Sequence, residues 1–432
     1  MPIVLAALLA VLPLAAVAQA STDRIPDAPG APSGVSAVAG APARAAPTLS
    51  ELVTAAWALS GLDATARARA AELDARGVAL RSPFAGTPSV GLDVRRDLPR
   101  AVALPGTDVS LERGRNEIEP GISVPLWLPG QRAAQGEALE RERMQRAAAL
   151  RLARLGLAGE VREAVWALSA AAVERRVQQA REASAVLLEA DVVRRVAAGD
   201  LAPVDGLAAR TERLAALGAL RDAEARERDA AVRLRMLTGR DDAGEIGESP
   251  ADAASPDAHP MLAAARDAVH AARARLDAAR ATRRDAPTLS ASARFERDAY
   301  GGDYRNSVRV GIAVPLDTEA RNAPRLAAAG VELAEAELAL QRAQREQGTQ
   351  LERARIALDA SRASVALDTE RAAAARAARL ALERAFRAGE RALPDVLRAR
   401  QSALDAELAT ALAQVREGLA IARLNQALGV EP

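Results

Sequence analysis

The sequence predicts a mainly α-helical protein with a small β part, made of two copies of one unit, and three observations predict it. The first is a repeat at a fixed offset of 190 residues: Gly121, Ile122, Val124, Pro125 and Leu126 recur as Gly311, Ile312, Val314, Pro315 and Leu316. In the same register, Ala198 and Gly199 recur as Ala388 and Gly389, and Gly239 as Gly429. Asp205, Leu207, Arg210 and Leu214 likewise recur as Asp395, Leu397, Arg400 and Leu404. The second observation is a pair of stretches with almost no helix breaker, 131–198 and 324–388, each roughly 100 Å long at about 1.5 Å per residue. The third is a period-two run ahead of each stretch, apolar on one side and polar on the other. A gapless register over such a distance is a poor match to chance in Ala- and Arg-rich sequence. Two hairpin-plus-long-helix units point to a tube rather than to an enzyme fold.

Taken in order, residues 1–20 read as a secretory signal. Ile3 to Val17 is apolar but short for a bilayer span, and Ala18-Gln19-Ala20 is a small-x-small cleavage site. Residues 21–47, rich in Pro, Ala and Gly without periodicity, read as a flexible leader. The first repeat, 48–240, holds a helix over 48–76, a hairpin over 89–126, the long helix 131–198 and a return helix 203–238. In its hairpin Val90, Leu92 and Val94 alternate with Gly91, Asp93 and Arg95, and Ile118, Ile122, Val124 and Leu126 with Glu119, Gly121 and Ser123. A linker over 241–256 leads to the second repeat, 257–432: a helix 257–285, a hairpin 288–316, the long helix 324–388 and a return helix 394–428. There Leu289, Ala291, Ala293 and Phe295 oppose Ser290, Ser292, Arg294 and Glu296, and Val308, Val310, Ile312, Val314 and Leu316 oppose Arg309, Gly311 and Ala313.

The lengths suggest how the helices pack. Helices 203–238 and 257–285 together match 131–198, and 394–428 with 48–76 match 324–388, so each long helix is expected to be covered by two short ones stacked end to end. Leu326, Leu333 and Leu340, then Leu351, Leu358 and Val365 after an eleven-residue step, form heptads with a stutter, a coiled-coil seam that unwinds locally.

Composition narrows the function. There is no Cys, which excludes disulfides, thiolate metal sites and an acyl anchor on cysteine. The 58 basic and 57 acidic residues balance, so no field draws the chain to nucleic acid. His259 and His270, the two histidines, stand roughly 16 Å apart on one helix at about 1.5 Å per residue, too far to share a metal, and read as solvated surface. No nucleophile–His–acid set and no phosphate loop appears, so no catalytic residue and no cofactor is assigned. An exported chain without a spanning helix is either soluble in the periplasm or part of an outer-membrane β-barrel.

Aromatic placement weighs on that choice. Of the aromatics, Phe84, Trp127, Phe295, Tyr300 and Tyr304 fall in or beside the hairpins, which the lipid interface favours and which the core of a soluble β-domain would also accommodate. The strand–VPL–turn–long-helix pattern, the duplication, and Gly389, Asp395, Val396 and Leu397 resemble the outer-membrane factor family, the TolC-like efflux channels. The run Val124-Pro125-Leu126-Trp127-Leu128-Pro129-Gly130-Gln131-Arg132 looks like that family's strand-to-helix junction, of which Val314-Pro315-Leu316-Asp317 keeps the first half.

The resemblance implies a homotrimer in outer-membrane lipid. Each chain would give four strands to one twelve-stranded transmembrane β-barrel, and the helices would continue as a long antiparallel coiled-coil barrel through the periplasm. It also implies a periplasmic adaptor and an inner-membrane pump as partners, with Trp127, Phe295, Tyr300 and Tyr304 at the lipid interface. At the helix tips it implies a gate, matched here by Asp205, Phe386, Arg391 and Asp395, with adaptor docking around Gly199, Asp200, Gly389 and Glu390. Phe386 stands where better-known members have Tyr, so a latch here would rest on Arg391 and packing. A plainer reading stands beside the gate. Pro203 and Pro394 mark first helical turns, so Asp205 and Asp395 complement a helix dipole, and Asp395 is within reach of Arg398. Gly199 and Gly389 are also expected as left-handed helix terminators. The rival to the channel is a soluble periplasmic coiled-coil adaptor or scaffold, against which the four duplicated strands speak.

Overall fold

The computed structural model describes residues 47–432 except 98–99, 104–105, 107–109, 114, 245–246, 252–257 and 299–301, with backbone alone for 100–103 and 110–113. The predicted signal, nearly all of the leader, part of the linker and Tyr300 lie outside the described residues. Among the described residues the order is α1 (Leu49–Ser60), α2 (Leu62–Leu80), β1 (Ser89–Arg96), β2 (Arg100–Ala103), β3 (Ser110–Arg113), β4 (Asn116–Pro125), α3 (Gln131–Ala197) and α4 (Pro203–Thr238). Then come α5 (Pro260–Ala281), β5 (Thr288–Arg297), β6 (Arg305–Ala313), α6 (Thr318–Arg387) and α7 (Leu393–Ala427). No helix among them is long and apolar enough to cross a membrane.

Local chemistry explains the element ends. Thr48 and Glu51 form a reciprocal capping box that starts α1. The helix expected over 48–76 is two helices, because Gly61 takes φ +68° and turns the chain before α2 runs on to Leu80. The sequence pattern starts the second long helix at Pro324, whereas α6 starts at Thr318 and carries Pro324 inside it. Its first turns are tied to the preceding segment: Asp285 N–H donates to Thr318 Oγ1 at 3.1 Å, and Asn322 Nδ2 donates to the Asp285 carboxylate at 2.9 Å. Those contacts offset the one backbone hydrogen bond that proline removes.

The helices stand in four lanes. α3 and α6 are the two long ones, and α5 and α7 fill the lane between them. α4 packs on the other flank of α3, and α1 and α2 continue that lane. The end-to-end stacking read from segment lengths is therefore partly wrong. α4 and α5 both lie on α3, but on opposite flanks; α5 stacks on α7, and α1–α2 stack on α4 rather than covering α6. The α7–α5 junction is close: a Cβ on Gly429 would sit 2.7 Å from Pro260 Cδ. Ala at the seams lets the lanes approach, with Ala158, Ala216, Ala223, Ala271, Ala406 and Ala422 fully buried. α6 is covered along one stripe, through Leu326, Ala329, Leu333, Ala336, Leu340, Ala343, Gln347, Leu351, Ala354 and Leu358. The successive four-residue steps at 343–347–351 are the stutter.

A polar hub pins the lanes near mid-length. Arg162 is 2% exposed and pairs with Glu248 at 2.9 Å while also donating to Gln426 Oε1 at 2.7 Å and the Val430 carbonyl at 3.1 Å. Asn425 joins it, donating to Glu248 at 2.8 Å and accepting from Ala251 N–H. His259 belongs to this junction, which corrects its reading as solvated surface. It is 5% exposed and caps α5, its Nδ1 accepting from Met261 N–H at 3.1 Å. Burial holds its pKa below the usual histidine value, opposed by a hydrogen bond to the Gln426 backbone. His270 is exposed.

Candidate functional site

The strands form one antiparallel four-stranded sheet in the order β1-β4-β5-β6, with β2 and β3 a separate pair between β1 and β4 in sequence. Period-two sequence and this register give the sheet two unlike faces. Val90, Leu92 and Val94 lie beside Ile122, Pro120 and Ile118. Ile118 and Ile122 lie beside Phe295 and Ala291, and Leu289, Ala291 and Ala293 beside Ile312, Val310 and Val308. One face is thus apolar across all four strands, and no helix packs on it among the described residues. Val90, Val308 and Val310 are each more than 70% exposed.

The opposite face is an ion-pair lattice. Glu119 accepts from Ser292 Oγ at 2.7 Å and Arg294 Nη2 at 2.8 Å, and Arg309 lies 3.4 Å away. Arg294 also pairs with Glu117 at 3.0 Å, and Glu296 with Arg115 at 3.1 Å and Arg305 at 3.6 Å. The sequence alternation puts Glu119, Ser292, Arg294, Glu296 and Arg309 on the polar side without pairing them, and does not single out Glu117, Arg115 or Arg305. The register alone would not show the pairs, because Glu117 lies directly beside Glu296 and Glu119 beside Asp93, and Arg294 reaches Glu117 on the diagonal as well as Glu119.

The aromatics sit at both ends of the sheet. Trp127 follows β4 at the helix side, its Nε1 donating to the Ser82 carbonyl at 3.1 Å, with Phe84 half-buried nearby in the chain. Phe295 and Tyr304 are at the far end, and the Arg297 guanidinium lies 5.2 Å from the Tyr304 ring centre.

The other end of the molecule carries two matching helix tips. Gly199 (φ +82°) and Gly389 (φ +77°) terminate α3 and α6 in Schellman turns. Asp200 N–H donates to the Arg195 carbonyl and Gly199 N–H to Val196; Glu390 N–H donates to Ala385 and Gly389 N–H to Phe386. Both glycines, Asp200 and Glu390 are exposed.

The four tip residues picked from sequence, Asp205, Phe386, Arg391 and Asp395, form no hydrogen bond or ion pair with one another among the described residues. Asp205 accepts from Ala202 N–H at 3.2 Å, capping the start of α4. Asp395 pairs with Arg398 at 2.9 Å within α7. Arg391 is exposed. Phe386 is 5% exposed and packs among Leu188, Val192, Ala209, Leu393 and Val396, a core that joins both tips. Arg195, which the sequence does not single out, completes it: its guanidinium from α3 lies 4.7 Å from the Phe386 ring centre. Nothing in the sequence marks Arg195 among its many neighbours, because the contact depends on how two distant tips meet.

The family described as "outer membrane efflux protein" matches residues 87–240 and again 256–430, together most of the chain. No curated protein sequence matches it. Among solved structures, the chain is similar to a membrane protein from Pseudomonas aeruginosa, with 20% identity, a TM-score of 0.68 and coverage of 88% of this chain and 90% of that one. It is similar to the CmeC outer membrane channel of Campylobacter jejuni at 16% identity and TM-score 0.67, covering 88% and 85%. It is also similar to the outer membrane protein VceC of Vibrio cholerae at 18% identity and TM-score 0.67, covering 88% and 96%.

Proposed function

The chain belongs to the outer membrane efflux protein family, and from that premise we propose that three copies close into one passive channel. The family places the protein in the outer membrane, and its members are transport proteins rather than enzymes. The observation that carries the trimer is the sheet: an uncovered apolar face, a polar face of paired charges, and two edges, β1 and β6. Four strands are too few to close alone, since the smallest membrane barrels have about eight. In the trimer β1 of each copy pairs with β6 of the next, giving twelve strands with the apolar face to lipid and the ion-pair lattice to the lumen. Trp127, Tyr304 and Phe295 then lie near the two lipid interfaces.

The helix lanes close in the same way. α6 shows Val331, Ile356 and Leu367 on its uncovered side, and the lane of α1, α2 and α4 shows Leu59, Val78 and Met236. Edge against edge around a threefold axis, these surfaces cover one another and extend the barrel as a periplasmic tunnel. The tips then form the inner mouth, gated there, with Gly199, Asp200, Gly389 and Glu390 presented to a periplasmic adaptor and an inner-membrane pump supplying the energy. Arg391, Asp205 and Asp395 line this mouth from the three copies.

Reconstitution tests the reading. Protein extracted from outer membranes and added to a planar bilayer should give discrete conductance steps. Recovery of the protein only from the soluble periplasm, with no conductance after detergent reconstitution, would contradict it.

A further inference from the structure

We infer that Arg195 and Phe386 form the clasp that holds the two helix hairpins of each chain together at the tip. This rests on the channel reading, in which those tips form the mouth. Within the first hairpin, α3 and α4 are laced by Arg181–Glu212, Arg226–Glu174, Arg175–Glu227 and Arg213–Glu189. Within the second, α6 and α7 are laced by Arg400–Glu383, Arg376–Glu407 and Arg362–Glu417. Ion pairs between the hairpins stand far from the tip, at Arg423–Glu163 and Arg154–Glu431. Arg400 reaches Ser184 at 3.4 Å, and below that the hairpins meet through the apolar cluster around Phe386 and the Arg195 stack.

Each hairpin is therefore a stiff body, tied to its partner at mid-length and held at the tip by apolar packing and one cation–ring contact. That arrangement is a hinge with a clasp. Arg195 is well placed for it. It lies three residues before the Ala198 C-cap, where a cation also complements the helix dipole, and its half-buried guanidinium faces the ring. Phe lacks the hydroxyl that would bond an aspartate, and the contact to Arg195 supplies a polar partner that needs none. Asp205 and Asp395 are occupied within their own helices and leave the clasp to this pair.

The test uses two readouts on the full chain, which has no native cysteine to interfere. Spin labels on Asp200→Cys and Glu390→Cys report the separation of the tips. In the parent protein the distance distribution should be narrow; with Arg195→Ala it should broaden to longer distances. In planar bilayers Arg195→Ala and Phe386→Leu should each raise the open-to-closed ratio about threefold to tenfold, the size of one cation–ring contact. The double variant should open no more than either single one, and Arg195→Lys should fall in between. Unchanged tip distances and gating in Arg195→Ala, with the assembly intact, would overturn the clasp. So would single effects that multiply in the double variant. A failure of the parent protein to conduct would count against the channel itself, while the tip distances would still judge the clasp.

Discussion

Val310→Arg is expected to prevent assembly in the membrane. Val310 lies mid-strand in β6, beside Ala291 on the apolar face and 71% exposed in the single chain. If that face meets lipid, an arginine near the midplane costs about 2–4 kcal/mol per chain, and the cost recurs in every copy of the assembly. Roughly 6–12 kcal/mol over three copies is comparable with the whole stability of a folded domain. The check is the fraction of protein recovered from outer membranes as a detergent-resistant oligomer, which should fall to near background. Ser307→Glu, on the same strand but facing Arg294 on the polar side, should assemble normally. The alternation itself is what the pair of variants reads. Equal recovery of both would remove the lipid from the apolar face.

Arg162→Ala carries the second large effect, and acts on the helical body. Its guanidinium holds together α3, the segment at Glu248, and the end of α7 at Gln426 and Val430. Both partners of the Arg162–Glu248 pair are nearly dry, with side-chain exposures of 3% and 11%. Removing one partner leaves a buried carboxylate with Asn425 as its remaining donor among the described residues, a change that costs about 3–5 kcal/mol in comparable buried pairs. Urea unfolding of the detergent-solubilised protein should show a lower midpoint with an unchanged slope. Arg162→Met with Glu248→Leu should recover much of the loss, because two apolar groups of similar volume leave no charge unpaired. A double variant no better than the single one would mean that the other hydrogen bonds of Arg162, rather than its charge partner, hold the junction.

The fold was largely legible because the repeat fixes it twice. Gly199 and Gly389 mark both tips, and the alternation through Val90–Val94 and Val308–Ile312 assigns the faces of the sheet. What escaped were features that depend on which surfaces meet. Ala-rich helices have similar faces all round, so segment lengths allowed α5 to stack on α4 when it stacks on α7. Gly61 breaks the first helix because its backbone adopts a left-handed turn, while the similar-looking Gly136 and Gly156 stay inside α3. His259 looked like surface because its neighbours Gly429 and Gln426 come from the far end of the chain. At the tips, sequence offered a first-turn dipole role for Asp205, which in the structure also caps α4, and the Arg398 pair for Asp395, which forms. It offered no route to Arg195, whose partner Phe386 is 191 residues away.

The central claim is that β1 of one copy pairs with β6 of the next and that three copies close the ring. The most direct measurement is cysteine cross-linking across that seam. Leu92→Cys in β1 is combined in turn with Val308→Cys, Val310→Cys and Ile312→Cys in β6, so that one pair falls within the about 4.4–6.8 Å Cα separation a disulfide needs. Oxidation of outer membranes should convert one of these variants through a covalent dimer to a covalent trimer, with no larger species. Cross-linking that ends at the dimer, or none at all three positions, would contradict a twelve-stranded barrel built from three chains.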